Sequence, residues 1–314
     1  MYGVNGKKFQ RQYKKSLSEF ETWNQKSHAE NWIIHPENLS EYLSLDEVAL
    51  SDGELYTVLT SKKALGKKGC IVAIIKGTES NIAVEHLFKI NRKLRSNVKE
   101  ITLDMAGSMK LIAKKAFPNA KQVVDRFHVQ KLAAEAVQQI RIEHRWEAMD
   151  KENNALIEAK KQNLKPKIEI FSNGDTRKQL LARSRYLLFK SREKWTLSQK
   201  QRAELLFSEY PDLQKSYDLS DGLRKIYNQK ITKSTAILKL AHWFREVEEA
   251  GFKSFSTLQK TIMIHYNDIL NYFDQRSTNA SAESFNAKIK NFRLQLRGVK
   301  DRAFFLFRVS NIFA

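Results

Sequence analysis

The chain of 314 residues has one cysteine, Cys70. That excludes an internal disulfide and every zinc site assembled from several cysteines, and it agrees with a reducing compartment. The thiol reads as a small buried apolar residue in a strand. No stretch approaches the roughly eighteen uninterrupted apolar residues of a membrane span, and the opening MYGVNGKKFQRQYKK lacks the apolar core of a signal peptide. The expectation is a soluble, intracellular protein with no membrane partner. Acids are also scarce: 35 Asp and Glu stand against 55 Lys and Arg, a net charge of +20. Such an excess repels itself unless a polyanion offsets it, so nucleic acid is the first partner to expect.

The excess is uneven. Residues 1–50 carry 6 basic and 7 acidic side chains, residues 151–200 carry 13 and 5, and residues 251–314 carry 10 and 4. A patchy excess suits a binding face better than general solubilisation. The neutral front, residues 1–40, reads as a polar helical or irregular segment. It has no Cys/His metal spacing and no pair of short helices around a tight turn, so no DNA-reading module is expected there.

From Tyr42 the pattern changes. YLSLDEVAL and ELYTVLTS are two β-prone runs joined across Ser51-Asp52-Gly53, and Asp-Gly is a strong hairpin signal. CIVAIIKG (70–77) follows a lysine-rich loop; then come a helical pattern at 80–95, the strand EITLD (100–104), a helix at 107–117 ended by Pro118, and the strand KQVVD (121–125). Three meandering strands followed by two βα units is the order of a ribonuclease H-like fold, an α/β class built on a mixed sheet with helices on its faces. After Asp125 the β signal disappears. Thr196 to Gln199 form a capping box, Pro211 opens a helix, and Gly251 separates two more. The division expected is an N-terminal segment 1–40, a catalytic core over 41–149, an all-helical insertion over 150–265, and core helices over 266–314.

Three acids stand at telling places: Asp46 in the first strand, Asp104 at the end of the fourth, and Glu283 in STNASAESFNAKIK near the chain's end. In a ribonuclease H-like sheet the first and fourth strands are neighbours, so Asp46 and Asp104 would project side by side, with a late helix bringing Glu283 opposite. Oxygen ligands of this kind hold hard cations such as Mg²⁺, and two such ions can grip the attacking and leaving oxygens of a phosphodiester. Asp125 also ends a strand. Asp52 is explained by the hairpin turn, and Glu47 should face away from Asp46. Around Glu283, residues Ala282, Phe285, Ile289, Phe292 and Leu296 form an apolar stripe, while Glu283, Asn286, Lys290, Arg293 and Arg297 form a polar one beside it.

The segments SLDEVALSDGELYTVLT, ITLDMAGSMKLIAKKAFPNAKQVVDRFHVQKL and TNASAESFNAKIKNFRLQLRGVKDRAFFLFR resemble the catalytic region of bacterial insertion-sequence DDE transposases of the ISL-three type, with the ISAon-type branch nearest in character. The resemblance runs from about residue 40 to the end; Asp104 followed by Asp-Arg-Phe-His at 125–128 is its most specific part. It implies that Asp46, Asp104 and Glu283 are the catalytic, metal-binding acids, with two Mg²⁺ ions or Mn²⁺ in their place. It also implies DNA as the partner at element ends and target, a homodimer in the synaptic complex, and a cytoplasmic, nucleoid-associated location in a bacterium. The family often has Gly where this chain has Ala280. A helical insertion between the fifth strand and the Glu-bearing helix is a family trait.

Candidate DNA contacts are the loop lysines Lys62, Lys63, Lys67 and Lys68, then Arg126 and His128, and on the late helix Asn286, Lys288, Lys290, Arg293 and Arg297. For His128 a positioning or DNA-contact role and a structural one are both open. Many relatives carry an N-terminal module that reads the element's ends; the neutral segment before Asp46 offers none, so a companion polypeptide or the basic insertion is expected to supply that recognition. Two rivals use the same features differently: a nuclease or resolvase of the same fold that joins no strands, and a non-catalytic nucleic-acid-binding remnant that needs none of the acids.

Overall fold

The computed structural model describes residues 5–51, 53–296 and 301–314. The chain divides into two compact units, Met1–Asp125 with Gln275–Ala314, and Arg126–Asp274.

The first unit is built on one six-stranded mixed sheet. Its strands are β1 (Trp32–Ile34), β2 (Tyr42–Ser51), β3 (Glu54–Ser61), β4 (Ile71–Lys76), β5 (Glu100–Leu103) and β6 (Lys121–Val124), in the spatial order β1-β4-β3-β2-β5-β6. Strands β2, β3 and β4 pair antiparallel, whereas β5 runs parallel to both β2 and β6. This is the ribonuclease H-like arrangement expected from the element order. The meander is local: Gly53 takes φ +79° at the first hairpin, a value open to glycine at little cost, and Asp52 lies outside the described residues. The parallel additions each need a crossover, supplied by α2 (Ser80–Leu87) and α3 (Arg92–Ser96) before β5 and by α4 (Gly107–Ala116) before β6.

Side chains alternate across the sheet, and each face has its own core. Leu43, Leu45, Ile101 and Leu103 pack under Val84, Leu87, Met109, Ile112 and Ala113 of the crossover helices. On the other face Val48, Tyr56, Val58 and Ile74 pack against Phe285 and Ile289 of α13 (Ala280–Gln295) and Phe305, Leu306, Val309 and Phe313 of α14 (Arg302–Phe313). The apolar stripe expected around Glu283 is therefore the buried side of α13. The edge strand β1 was not anticipated in a segment read as helical or irregular. Its three residues pair with β4, and Gln25 clamps it by hydrogen bonds to both the N–H and the carbonyl of Ile34. The segment before it also includes α1 (Gly6–Gln12), and Phe20 packs on Phe304 and Phe307.

The second unit is helical. Its longest element, α5 (Arg126–Lys161), is followed by α6 (Arg177–Arg183), α7 (Leu197–Glu209), α8 (Pro211–Asn228), α9 (Lys233–Ala250), α10 (Lys253–Ile264), α11 (Tyr266–Leu270) and, at its end, α12 (Tyr272–Gln275). The Thr196–Gln199 capping box forms with both reciprocal hydrogen bonds, Pro211 opens α8, and Gly251 closes α9 at φ +72°. The unit starts at Arg126 instead of the expected 150 and ends at Asp274 instead of 265. The reason is that α5 has no break near residue 150: its apolar front half, Val129 to Ile140, packs in the helical unit and its charged rear half continues the same helix. Inside the unit Asp175 is fully buried and paired with both Arg183 and Arg202. Among the described residues no helix is long and apolar enough to cross a membrane.

Cys70 is fully buried, its N–H donates to the carbonyl of Phe313 at 2.8 Å, and burial pushes its thiol up to about 11. The reactive thiolate is thus both hidden and disfavoured. The folded protein is expected to remain unlabelled by a disulfide-exchange reagent at mildly alkaline pH and to yield one reactive thiol in concentrated guanidinium chloride. Prompt labelling of the native protein would contradict this packing.

Candidate active site

Parallel pairing of β2 with β5 fixes the first two acids. Leu43 lies opposite Ile101 and Ser44 opposite Thr102; the same register carried two residues further sets Asp46 level with Asp104. Neighbouring strands are about 4.8 Å apart. Since Leu45 and Leu103 point into the core beneath the crossover helices, alternation sends Asp46 and Asp104 to the opposite face, the one that α13 covers. Asp104 Oδ1 accepts from the N–H of Ala106 at 2.9 Å, an Asx turn that bends the chain away from β5. Asp46 Oδ1 accepts from the N–H of Glu47 at 2.8 Å, and its Oδ2 accepts from Asn286 Nδ2 at 2.7 Å.

The third position comes from α13. Asn286 meets Asp46, and Arg293 Nη1 donates to the carbonyl of Ala49 at 3.4 Å, so the helix runs along β2 in the strand's own direction. Residues three and four apart share a helix face. Glu283 therefore belongs to the stripe that Asn286 and Arg293 present to β2, one turn before Asn286, with its side chain exposed. Among the described residues no three His, Cys, Asp or Glu side chains stand close enough together to hold one metal ion. Asp46 lies in the middle of β2, Asp104 directly after the end of the adjoining β5, and Glu283 on the neighbouring helix, but the carboxylates do not meet as a ready-made trio. An amide can approach a carboxylate where another carboxylate is repelled, and it is Asn286 that touches Asp46.

Asp125, which the sequence left as one more strand-end acid, has a distinct position. It is 2% exposed, its N–H donates to the carbonyl of Leu103, and its Oδ2 accepts from the N–H of Asn279 at 3.1 Å. Asn279 precedes α13, and its carbonyl accepts from the N–H of Glu283 at 2.8 Å. A buried carboxylate on β6 thereby anchors the turn that carries Glu283. A second anchor is the loop after β3: Gly66 takes φ +71°, a Cβ there would lie 3.1 Å from the carbonyl oxygen of Ser281, and Lys288 Nζ donates to the Gly66 carbonyl at 2.7 Å. Only glycine lets the loop backbone come this close to the helix.

Electrostatics single out two further groups. Burial, then Asp104 and then Asp46, push the Glu47 carboxyl above the ordinary carboxylate range, so a third acid shares the strand-end region even though alternation turns it from Asp46. Lys62, expected at the surface, is turned inward: its side chain is 15% exposed, its ammonium pairs with Glu100 at 3.5 Å, and it also bonds Thr102. Burial lowers its pKa, against the opposing pull of Glu100 and Asp125. Its expected phosphate contact is accordingly replaced by an internal ion pair, because a lysine at the end of β3 can fold its stem over the sheet face.

The remaining candidates are distributed as follows. Lys63, Lys67, Lys68 and Lys290 are exposed. Lys288 and Arg293 are half-buried against the carbonyls already named. Asn286, expected to face DNA, is instead buried against Asp46. In the helical unit Arg126 donates to Asn228 at 3.4 Å, and His128 is half-buried on the first turn of α5. Arg297 lies outside the described residues.

The side chains that could hold an ion here offer oxygen and no sulfur: the carboxylates of Asp46 and Asp104, the unpartnered Oδ1 of Asn286, and Glu283 one helical turn before it. This set fits a hard divalent cation such as Mg²⁺ or Mn²⁺ and not a thiolate-seeking metal.

For Lys62 the sign of the pH effect follows from its lowered pKa. As pH rises, the folded state loses this proton before the unfolded chain does, so below 10.5 the unfolded state binds more protons and the group's contribution to stability grows with pH. Lys62→Met should remove that rise. It also strands the buried Glu100, costing about 3 kcal/mol near neutral pH, and Lys62→Met combined with Glu100→Gln should recover part of the loss. Denaturant titrations across pH check both effects; an unchanged midpoint in Lys62→Met would contradict the internal pairing.

Residues 43–309 match the model of the ISL3-type DDE transposase family, described as "Transposase". The chain is similar to the transposase for insertion sequence element IS1001 of Bordetella parapertussis, at 21% identity over 274 residues covering 87% of this chain and 61% of that protein. It thus spans less than two thirds of that relative's length. No solved structure matches. The family match takes in both strands that carry Asp46 and Asp104, the helix that carries Glu283 and the helical unit between them: the chain belongs to the ISL3 family of DDE transposases.

Proposed function

We propose that this chain is the catalytic subunit of a DNA transposase, which cuts at the ends of an insertion sequence and joins the freed 3′ ends to target DNA. The observation that supports the reading is the parallel pairing of β2 with β5, whose register, continued two residues past Ser44 and Thr102, runs to Asp46 and Asp104, together with the Asn286–Asp46 hydrogen bond from the Glu283 helix.

In this reading Asp46, Asp104 and Glu283 hold two divalent ions, Mg²⁺ or Mn²⁺. When bound, the ions supply Lewis-acid activation of the attacking oxygen and charge stabilisation of the leaving one. The chain's own residues orient the reaction. Asp104 is fixed by its turn, Asp46 by the Glu47 N–H and Asn286, and Glu283 by the Asp125 anchor. In the first step water adds to the phosphorus at the element's end, the bond to the 3′ oxygen breaks, and that oxygen leaves as a 3′-hydroxyl. In the second, that oxygen attacks a target phosphorus, the bond from this phosphorus to the target 3′ oxygen breaks, and the proton lost by the attacking hydroxyl is balanced by one taken from solvent by the departing 3′ oxygen. No side-chain nucleophile is consumed.

Among the exposed cations of the sheet unit, Lys63, Lys67, Lys68 and Lys290 are proposed to contact the DNA backbone, with the half-buried Lys288 and Arg293 beside them. The net charge of +20 supports a polyanionic partner. Arg126 and His128, on the first turn of α5, are proposed as DNA contacts of the helical unit. Recognition of the terminal repeats falls to the basic helical unit or to a companion protein, and pairing of two ends calls for two copies of the chain.

A strand-transfer assay with pre-cleaved ends and a target plasmid tests this. Wild type should form joined products with Mg²⁺ or Mn²⁺. Asp104→Asn should lower joining by at least about 10³-fold, on the scale of losing a main charge-stabilising group, while DNA binding is retained. Cleavage without joining by the wild type would favour a nuclease of the same fold; undiminished joining by Asp104→Asn would defeat the catalytic assignment.

A further inference from the structure

Asn286 is 8% exposed, and its two amide atoms are treated unequally by the fold. Nδ2 donates to Asp46 Oδ2 at 2.7 Å, whereas Oδ1 has no hydrogen-bond partner among the described residues. A buried amide oxygen without a partner costs roughly 1–3 kcal/mol. A purely structural contact to Asp46 accounts for the nitrogen and leaves that cost unexplained.

The chemistry of the surroundings supplies a reason. Oδ1 is on the same amide that touches a carboxylate oxygen proposed to bind a divalent ion, and carbonyl-type oxygens of Asn are ordinary ligands for hard cations. Asn286 and Glu283 are three residues apart on α13, hence on one face. The same spacing lets a Glu-x-x-His pair on one helix deliver two ligands to a single metal centre in di-metal carboxylate bundles. The buried, neutral amide can also come up against Asp46 without the repulsion a fourth carboxylate would bring.

We propose that Asn286 Oδ1 is an oxygen ligand of the divalent-ion site, so that α13 supplies two donors one turn apart, Asn286 beside Asp46 and Glu283 before it. The inference rests on the divalent-ion reading of Asp46, Asp104 and Glu283. It makes Asn286 part of the inorganic site instead of the DNA contact its place on the polar stripe suggested.

Mn²⁺ binding to the whole chain without DNA, measured by calorimetry and by the Mn²⁺-induced rise in melting temperature, tests it independently of activity. Wild type should bind Mn²⁺ saturably and Asp104→Asn should bind it weakly. Asn286→Ala should lose about tenfold or more in affinity. Asn286→Asp decides between ligand and clamp. Its carboxylate keeps an oxygen at the position but cannot donate to Asp46, so a ligand role gives a lowered melting temperature without metal and a larger Mn²⁺-induced rise than in wild type. A clamp role gives Asn286→Asp an affinity as poor as that of Asn286→Ala, and this outcome overturns the proposal, as does wild-type affinity in Asn286→Ala. Should Asn286→Ala fail to fold, the comparison of Asn286→Asp with wild type carries the test. If wild type binds no Mn²⁺, or Asp104→Asn binds it as well as wild type does, the underlying divalent-ion reading fails and the proposal falls with it; loss confined to the Asn286 comparisons rejects the proposal alone.

Discussion

The parallel pairing of β2 with β5 is the constraint on which the rest of the site depends. Its register, continued two residues past Ser44 and Thr102, carries Asp46 and Asp104 toward each other on strands about 4.8 Å apart, an arrangement that costs free energy unless positive charge or hydrogen-bond donors offset it. Asp46 receives the amide of Asn286 and the N–H of Glu47, and Asp104 receives the N–H of Ala106. Glu47 still registers the crowding, since its carboxyl is pushed upward by burial and by both neighbours.

The second element of the account is the helix that carries the third acid. α13 buries Phe285 and Ile289 in the apolar core, and non-directional packing of that kind does not fix a helix's rotation or axial position. Directional contacts do so here. Asp125 holds the Asn279 N–H, Lys288 holds the Gly66 carbonyl, and Asn286 holds Asp46. A slide of one residue along the axis, about 1.5 Å, would break all three. The acids of the sheet thus divide the work: Asp104 bends its own chain, Asp46 engages the helix that bears Glu283, and Asp125 the residue before it.

Much of the fold was legible because its signals are local. The Asp52-Gly53 hairpin, the β-branched runs, the Pro118 stop and the capping box at Thr196 each act within a few residues, and strand order followed from them. The edge strand Trp32–Ile34 was not legible: three residues carry too little periodicity, and its pairing with β4 is a long-range event. The compact helical unit begins before residue 150 because the charged rear half of α5 continues the helix that starts at Arg126. Lys62 and Asn286 looked like surface groups for a related reason. A lysine in a loop and an amide on a polar stripe turn inward only when a partner arrives from elsewhere in the chain, here Glu100 and Asp46, and no local pattern announces that partner. Asp125 carried a signal, a strand end level with Asp104, but its service to Asn279 depends on a helix that follows more than a hundred residues later.

The central claim is that Asp46, Asp104 and Glu283 surround one divalent-ion site. Metal-directed backbone cleavage addresses it most directly: Fe²⁺ is loaded in place of Mg²⁺, ascorbate and peroxide generate hydroxyl radicals at the ion, and the fragments are mapped. The account predicts cuts clustered near residues 46, 104 and 283, all suppressed by excess Mg²⁺ and absent in Asp104→Asn. Cuts near only one of these positions, or a pattern indifferent to Mg²⁺ and to Asp104→Asn, would contradict it.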